Sequence, residues 1–141
     1  MKAEERICCR GHPLVSALHP TTFEVTKAEE LTRAGDCIIG IRADKGAADL
    51  SGEFREVISL PGAILTTVLR CGGVEVEVSS RGGPGLTLTH PHDLVWRKSS
   101  FTCDRTVGVL SDTTARTLPR GLIEYLRDGA ELEILMTASA P

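Results

Sequence analysis

Apolar and polar positions along this chain alternate with period two in several short stretches and switch to helical spacing in two others. Val74, Val76 and Val78 alternate with Glu75 and Glu77, the pattern of a strand with one wet face. Leu50, Phe54, Val57 and Ile58 recur at helical spacing, and so do Leu118, Leu122, Tyr125 and Leu126. Asp49 and Thr117 stand where a helix N-cap belongs, Pro119 suits a first turn, and Gly62 and Gly129 stand near the helix ends. The pattern predicts strands over about 4–9, 14–27 and 36–43, a helix over 48–60 and a strand over 63–70. It then predicts strands over about 74–80, 86–98 and 105–111, a helix over 117–127 and a strand over 131–137. "CGG" at 71–73 reads as a tight hairpin turn.

The two series match in sequence as well as in pattern. Sliding the chain by 71 positions lays "EERICCRGHPLVSALHP", from Glu4, over "EVEVSSRGGPGLTLTHP", from Glu75, without a gap. Glu4 then pairs with Glu75, Arg10 with Arg81, Gly11 with Gly82, Pro13 with Pro84, His19 with His90 and Pro20 with Pro91. About one identity is expected by chance in such a window. The offset holds to Lys27 over Lys98, then falls to 68 and pairs Asp36 with Asp104, Gly40 with Gly108, Asp44 with Asp112, Ala47 with Ala115 and Leu50 with Leu118. The expectation is a single domain over 1–141 built by internal duplication, with repeats at about 4–71 and 74–138. Its class is α+β, mainly β: a strand-strand-strand-helix-strand unit used twice about a pseudo-twofold axis. The halves would close one aliphatic core, preferably as a barrel-like, double-psi-like structure and otherwise as a two-layer sheet, with two helices covering the openings.

Composition narrows the function classes. A formal charge of −3, a pI near 5.8 and an aromatic content of 4% argue against a nucleic-acid partner, which calls for basic footprints and stacking platforms. No apolar run approaches the roughly eighteen residues of a membrane helix, and "MKAEERICC" lacks the apolar stretch of a signal peptide. The expectation is a cytoplasmic protein with no membrane contact. The five cysteines, odd in number and without zinc-ligand spacing, read as reduced, small buried hydrophobes, with no metal and no cofactor.

The runs "RGHPLVSALHPTTFEVTK", "GDCIIGIRADKGAADL" and "LTLTHPHDLVWRKSSF" span nearly the whole chain. They resemble an archaeal family designated only as a domain of unknown function, number three-seven-one. The resemblance implies an archaeal, cytoplasmic, single-domain protein and carries no catalytic residues with it. The second half departs from "ADKGAADL", reading "SDTTARTL", so any role of that motif belongs to the first half.

Candidate chemistry lies in polar residues that recur and in those that break the symmetry. His19, Lys27, Asp36 and Asp44 recur as His90, Lys98, Asp104 and Asp112. Meeting across a dyad, they would build one composite cleft. Otherwise the aspartates serve as turn or cap residues and the histidines bond a neighbouring carbonyl. Gly11 and Gly82 permit a backbone bend. Lys45 faces Thr113 in the alignment, and a helix N-terminus with an ammonium beside it can hold an anion. His92 and Asp93 replace Thr21 and Thr22, and His90 with His92 on one strand face would offer a metal two points but no third ligand. "RGGPG" offers N–H groups for an anion nest, and "WRK" at 96–98 a cationic rim. No nucleophile elbow or catalytic cysteine signature is present. The candidate surface is therefore Lys45, Asp44, His19, His90, Asp93 and Lys98. It suits a binding module for a small anionic molecule or a protein partner. The alternative is an enzyme acting on an anionic metabolite, with a histidine or aspartate as general base and Lys45 or Lys98 holding charge. A third class is the subunit of a homo-oligomer built on an exposed apolar patch.

Overall fold

The computed structural model describes residues 1–32 and 34–141. In chain order it contains β1 (Lys2–Arg10), β2 (Thr22–Thr26), β3 (Ile38–Gly40), α1 (Gly52–Ile58), β4 (Ile64–Cys71), β5 (Val74–Arg81), β6 (Asp93–Arg97), β7 (Thr106–Gly108), α2 (Arg120–Arg127) and β8 (Glu131–Ser139). A 3-10 turn at Ala47–Asp49 precedes α1. The strands form two four-stranded sheets. The first, ordered β1-β8-β4-β5, is antiparallel throughout. The second, ordered β3-β2-β6-β7, is antiparallel at its central β2–β6 pair and parallel at both outer pairs. The fold is thus α+β and mainly β, in two sheets with two helices.

The sheets do not close into the expected barrel. Isolated bridges pair Arg10 with Ile41 and Arg81 with Val109, at the ends of the first sheet's edge strands. The second sheet's edges, β3 and β7, are three residues each and give no continuous ladder to seal the gap.

Alternation fixes which face of the first sheet is dry. In β8, Leu132, Ile134, Met136 and Ala138 are buried while Glu133, Leu135 and Thr137 are half-buried. The wet face carries a cross-strand chain of ion pairs, Arg6 to Glu133 to Arg70 to Glu75. One hydrophobic core draws on both sheets, with Ile7, Leu65, Leu69 and Ile134 from the first and Phe23, Val25, Leu94 and Trp96 from the second. Trp96 stacks on Phe23 at 4.7 Å between ring centroids and donates its indole N–H to Thr67 Oγ1 at 2.9 Å. Trp96 is therefore core and not part of a surface rim.

The strands expected over 14–27 and 86–98 shrink to Thr22–Thr26 and Asp93–Arg97. Ahead of each, a non-glycine residue takes a left-handed conformation, Ala17 (φ 50°) and Leu88 (φ 53°), and turns the chain away from any ladder. Each helix clamps one of these turns. Arg55 of α1 donates to the carbonyls of Leu88 (2.6 Å) and Ala47 (3.0 Å), and Arg120 of α2 to those of Ala17 (3.2 Å) and Ala115 (2.8 Å).

Helix starts also differ from expectation. Ser51 caps α1 by accepting the Phe54 N–H, because Asp49 belongs to the 3-10 turn and its carboxylate takes the Gly46 N–H at 2.9 Å. Thr117 takes the Thr114 N–H, and α2 begins only after Pro119. At the end of α2, Gly129 is left-handed (φ 78°), and the bonds Ala130 N–H to Tyr125 O and Gly129 N–H to Leu126 O complete a Schellman motif. Gly11 and Gly82 serve close approach and not a bend: a Cβ would lie 1.8 Å from the Leu126 carbonyl oxygen at Gly11 and 2.1 Å from that of Ile58 at Gly82. Among the described residues no helix is long and apolar enough to cross a membrane.

Candidate functional site

The central pair of the second sheet sorts its side chains by parity. Phe23, Val25, Leu94 and Trp96 enter the core. Thr22, Glu24 and Thr26 therefore share the opposite face with Asp93, Val95 and Arg97, their cross-strand partners in the register. The outer strands arrive beside them, Cys37 O accepting the Glu24 N–H and Arg105 O accepting the Val95 N–H.

This face carries a half-buried ionic cluster. Arg105 Nη1 lies 2.8 Å from Glu24 Oε1 and 3.1 Å from Asp93 Oδ2, and Thr26 donates its hydroxyl to Asp93 Oδ1 at 2.7 Å. His90 Nε2 stands 3.8 Å from Asp93 Oδ2. Glu24 is only 4% exposed. Burial, reinforced by the Asp93 carboxylate, pushes its carboxyl up to about 7 against the pull of Arg105 and Arg97. The cluster thus holds a proton that can be gained or lost near neutrality.

A second group adjoins it. Arg97 donates through Nε to Thr106 Oγ1 (2.9 Å) and through Nη2 to Cys103 Sγ (3.2 Å), and its guanidinium lies over the Phe101 ring at 5.0 Å. Burial pushes the Cys103 thiol up, but hydrogen bonds from the Arg105 backbone N–H, Thr106 and Arg97 outweigh it and bring the thiol down to about 7. Among the described residues no carboxylate forms an ion pair with Arg97, whereas Arg105 is shared by two. The arrangement sets guanidinium donors beside a carboxyl and a thiol that both titrate near neutrality. Among the described residues no three His, Cys, Asp or Glu side chains are placed to hold a metal ion.

Of the residues singled out in the sequence, His90 and Asp93 come together here. His90 Nδ1 accepts the N–H groups of His92 (3.1 Å) and Asp93 (2.9 Å), so it caps a turn and is spent as a metal ligand. His19 does the same for Thr21 and Thr22, both at 3.2 Å. Both histidines accept backbone N–H groups where a bond to a carbonyl was expected. Lys98 is exposed at the end of β6, its backbone N–H on Thr21 O. Asp44 and Lys45 are engaged elsewhere. Asp44 accepts the Cys8 N–H, and Asp112 that of Ser79. Lys45 Nζ is committed to Glu5 Oε2 and to the Arg6 carbonyl, both at 2.8 Å. The "RGGPG" amides are likewise used, Gly82 N–H by Ala63 O and Gly83 N–H by Ile58 O.

Cavity size does not mark the site. Two cavities of about 460 Å³ lie beside the Gly72–Gly73 hairpin and between α2 and residues 13–18, and neither brings a buried carboxyl or a histidine to its wall.

Glu24, Cys103 and Arg105 are not among the candidate residues, and Arg97 figures only within "WRK" as part of a cationic rim. Glu24 in "TFEVT" reads as the wet position of an alternating strand, and only the pairing of β2 with β6 sets it beside Asp93 and Arg97. The available signal was the parity shared by "TFEVT" and "DLVWR", which puts polar side chains on the same face of two strands.

The chain is an α+β protein of two four-stranded sheets with a half-buried ionic cluster on one of them. It belongs to the family described as Domain of unknown function (DUF371), whose model matches residues 7–139. It is also similar to an uncharacterised protein of the archaeon Methanocaldococcus jannaschii, 39% identical over 126 residues that cover 89% of this chain and 93% of that protein.

Proposed function

We infer that this chain is a binding module for a small anionic ligand, with its site on the outer face of the β2–β6 pair around Arg97 and Arg105. The carrying observation is the charge balance there. Arg97 has no carboxylate partner among the described residues, and Arg105 spends only Nη1 on Glu24 and Asp93. A planar guanidinium with open donors is suited to carboxylate and phosphate oxygens.

The site is composite in the sense of an internal duplication, which we include in the reading. Strand orders β1-β8-β4-β5 and β3-β2-β6-β7 keep their form when the halves are exchanged. Left-handed residues recur at Ala17 and Leu88 and at Arg42 and Leu110, matching the offsets of 71 and 68. Glu24 comes from the first half and Asp93, Arg97 and Arg105 from the second, meeting where β2 and β6 pair.

Calorimetric titration with inorganic phosphate, sulfate and citrate tests the reading. Binding should weaken at least about tenfold in Arg97→Gln, as expected for loss of a charge-assisted contact, and persist in Lys45→Ala. No binding of any of the three at millimolar concentration overturns it. The Glu24 carboxyl, poised near 7, favours a second reading, an enzyme in which Glu24 moves a proton on the bound anion. Turnover that Glu24→Gln abolishes without loss of phosphate binding would establish that reading.

A further inference from the structure

We propose that the free edge of β5, between the Gly72–Gly73 hairpin and Ser79, takes up an extended segment of a partner protein as an added strand. The segment it fits carries lysine or arginine at two positions flanking one apolar residue. This edge lies on the first sheet and is independent of the anion site.

β1 and β5 are the two edges of the first sheet, and the first contacts along each are alike. Arg10 exchanges backbone hydrogen bonds with Ile41, and Arg81 with Val109. Asp44 then binds the backbone of Cys8 as Asp112 binds that of Ser79. One register step further, the edges differ. At β1, Lys45 Nζ holds the Arg6 carbonyl and Glu5 Oε2, both at 2.8 Å, and Glu5 Oε1 accepts the Ser51 N–H. The offsets of 71 and 68 set Val76, Thr113 and Pro119 where Glu5, Lys45 and Ser51 stand. Valine has no carboxylate, Thr113 turns back to donate its hydroxyl to Asp112 Oδ1 at 2.9 Å, and proline has no N–H. None of the bonds that close β1 at this point has a counterpart on β5.

The hairpin register fixes which groups are left open. Cys71 and Val74 flank a two-residue turn and so bond each other, and the alternate residues Val76, Val78 and Ser80 also bond towards β4. Glu75 and Glu77 therefore point their N–H and C=O groups outward, and among the described residues no group bonds to them there. Two donors and two acceptors stand open at the spacing a strand presents. Val74 and Val76, packed against the core, are only half-buried, whereas Val78 further along is fully buried.

Charge selects the occupant. Residues of an added strand opposite Glu75 and Glu77 place their side chains on the same wet face as these carboxylates. Glu77 enters no ion pair among the described residues, and Glu75 shares Arg70 with Glu133. Beyond Glu75 the edge reaches the cavity beside the hairpin, which Glu75, Glu131 and Glu133 line together with Arg70. Cations opposite the two open glutamates are favoured, and one apolar residue between them covers Val76. A second copy of this chain is a poor fit, because antiparallel pairing of β5 with its copy about Val76 sets Glu75 opposite Glu77.

The test uses a labelled peptide, Thr-Lys-Val-Lys-Val-Lys-Thr, on the full chain, followed by fluorescence anisotropy and by amide hydrogen exchange. With peptide at about ten times its Kd, the Glu75 and Glu77 amides should exchange about tenfold more slowly. The same peptide with N-methyl groups on its lysine amides keeps its charge and loses its strand donors, and should bind at least about tenfold more weakly. Glu77→Lys, at an exposed position, should weaken the lysine peptide at least about tenfold and admit the peptide with glutamate in place of lysine. Equal affinity of the methylated and unmethylated peptides, or unchanged exchange at Glu75 and Glu77 with peptide bound, overturns strand addition. So does the absence of binding at millimolar peptide. Slow exchange of both amides that appears with protein concentration alone assigns the edge to a second copy, and overturns the proposal as well.

Discussion

Arg105 Nη1 lies 2.8 Å from Glu24 Oε1, yet the Glu24 carboxyl titrates high and not low. Burial is the largest cause, Asp93 adds to it, and the two arginines only partly offset them. The folded chain therefore keeps this proton up to about 7, whereas an unfolded one releases it near 4.5. Between these values the folded state binds more protons, so Glu24 lowers stability as pH rises, by on the order of 2 kcal/mol across the window. Glu24→Gln has no proton to lose. Relative to wild type its stability should rise from about pH 5 to about pH 8, read by denaturant unfolding at both ends. A difference that stays constant with pH would refute the assignment.

Asp44 and Asp112 each close a two-way stitch onto an edge strand. Asp44 accepts the Cys8 N–H at 3.0 Å and returns its own N–H to Cys8 O, and Asp112 does the same with Ser79. Replacing either with Ala should cost about 0.5–2 kcal/mol, as for other carboxylates that cap backbone donors. Phosphate affinity should be unchanged, since neither carboxylate touches Arg97 or Arg105. Lost affinity at unaltered stability is the outcome that would return them to the site.

How much of this was legible follows from which forces are local. Alternation at Val74–Val78 and helical spacing at Leu118–Leu126 place β5 and α2, because each element buries one face. The Gly72–Gly73 turn is legible for the same kind of reason: both residues have positive φ, which glycine tolerates best. Strand length was not legible, since Ala17 and Leu88 adopt left-handed conformations with nothing in their side chains to announce them. The candidate site was half-legible. His90 and Asp93 stand in one short run, but Glu24 and Arg105 reach them only through strand pairing. The Lys45 ion pair was not legible, because its acceptor, Glu5, lies 40 positions away on β1.

Lys45 anchors the chain. Its ammonium holds Glu5 Oε2 at 2.8 Å, and Glu5, only 8% exposed in its side chain, also accepts the Ser51 N–H through Oε1 at 2.6 Å. Lys45→Ala removes one partner of a largely buried carboxylate and should cost about 1 kcal/mol, discounted because the lysine itself is partly exposed. Glu5→Gln with Lys45→Ala should recover part of that loss, because the unpaired charge disappears. A double mutant less stable than the sum of the single changes would contradict this account.

The indole of Trp96 makes one buried tie between the two sheets. Its N–H reaches Thr67 Oγ1 at 2.9 Å, and both residues are fully buried, so no water can replace the acceptor. Thr67→Val keeps the shape of the side chain and removes only the oxygen. The buried N–H is then left without a partner, which costs about 1–3 kcal/mol, more than the net worth of the bond itself. Thr67→Ser keeps the acceptor but loses a methyl group, and should cost about 1 kcal/mol through the small cavity it leaves. Valine should therefore be the worse substitute despite its better fit. Trp96→Phe in the Thr67→Val background provides the control. It deletes the orphaned donor, so the penalty of Thr67→Val should shrink when measured against Trp96→Phe alone. Denaturant unfolding of the four proteins gives the coupling directly, and a coupling near zero would mean that packing, and not this hydrogen bond, joins the sheets at this point.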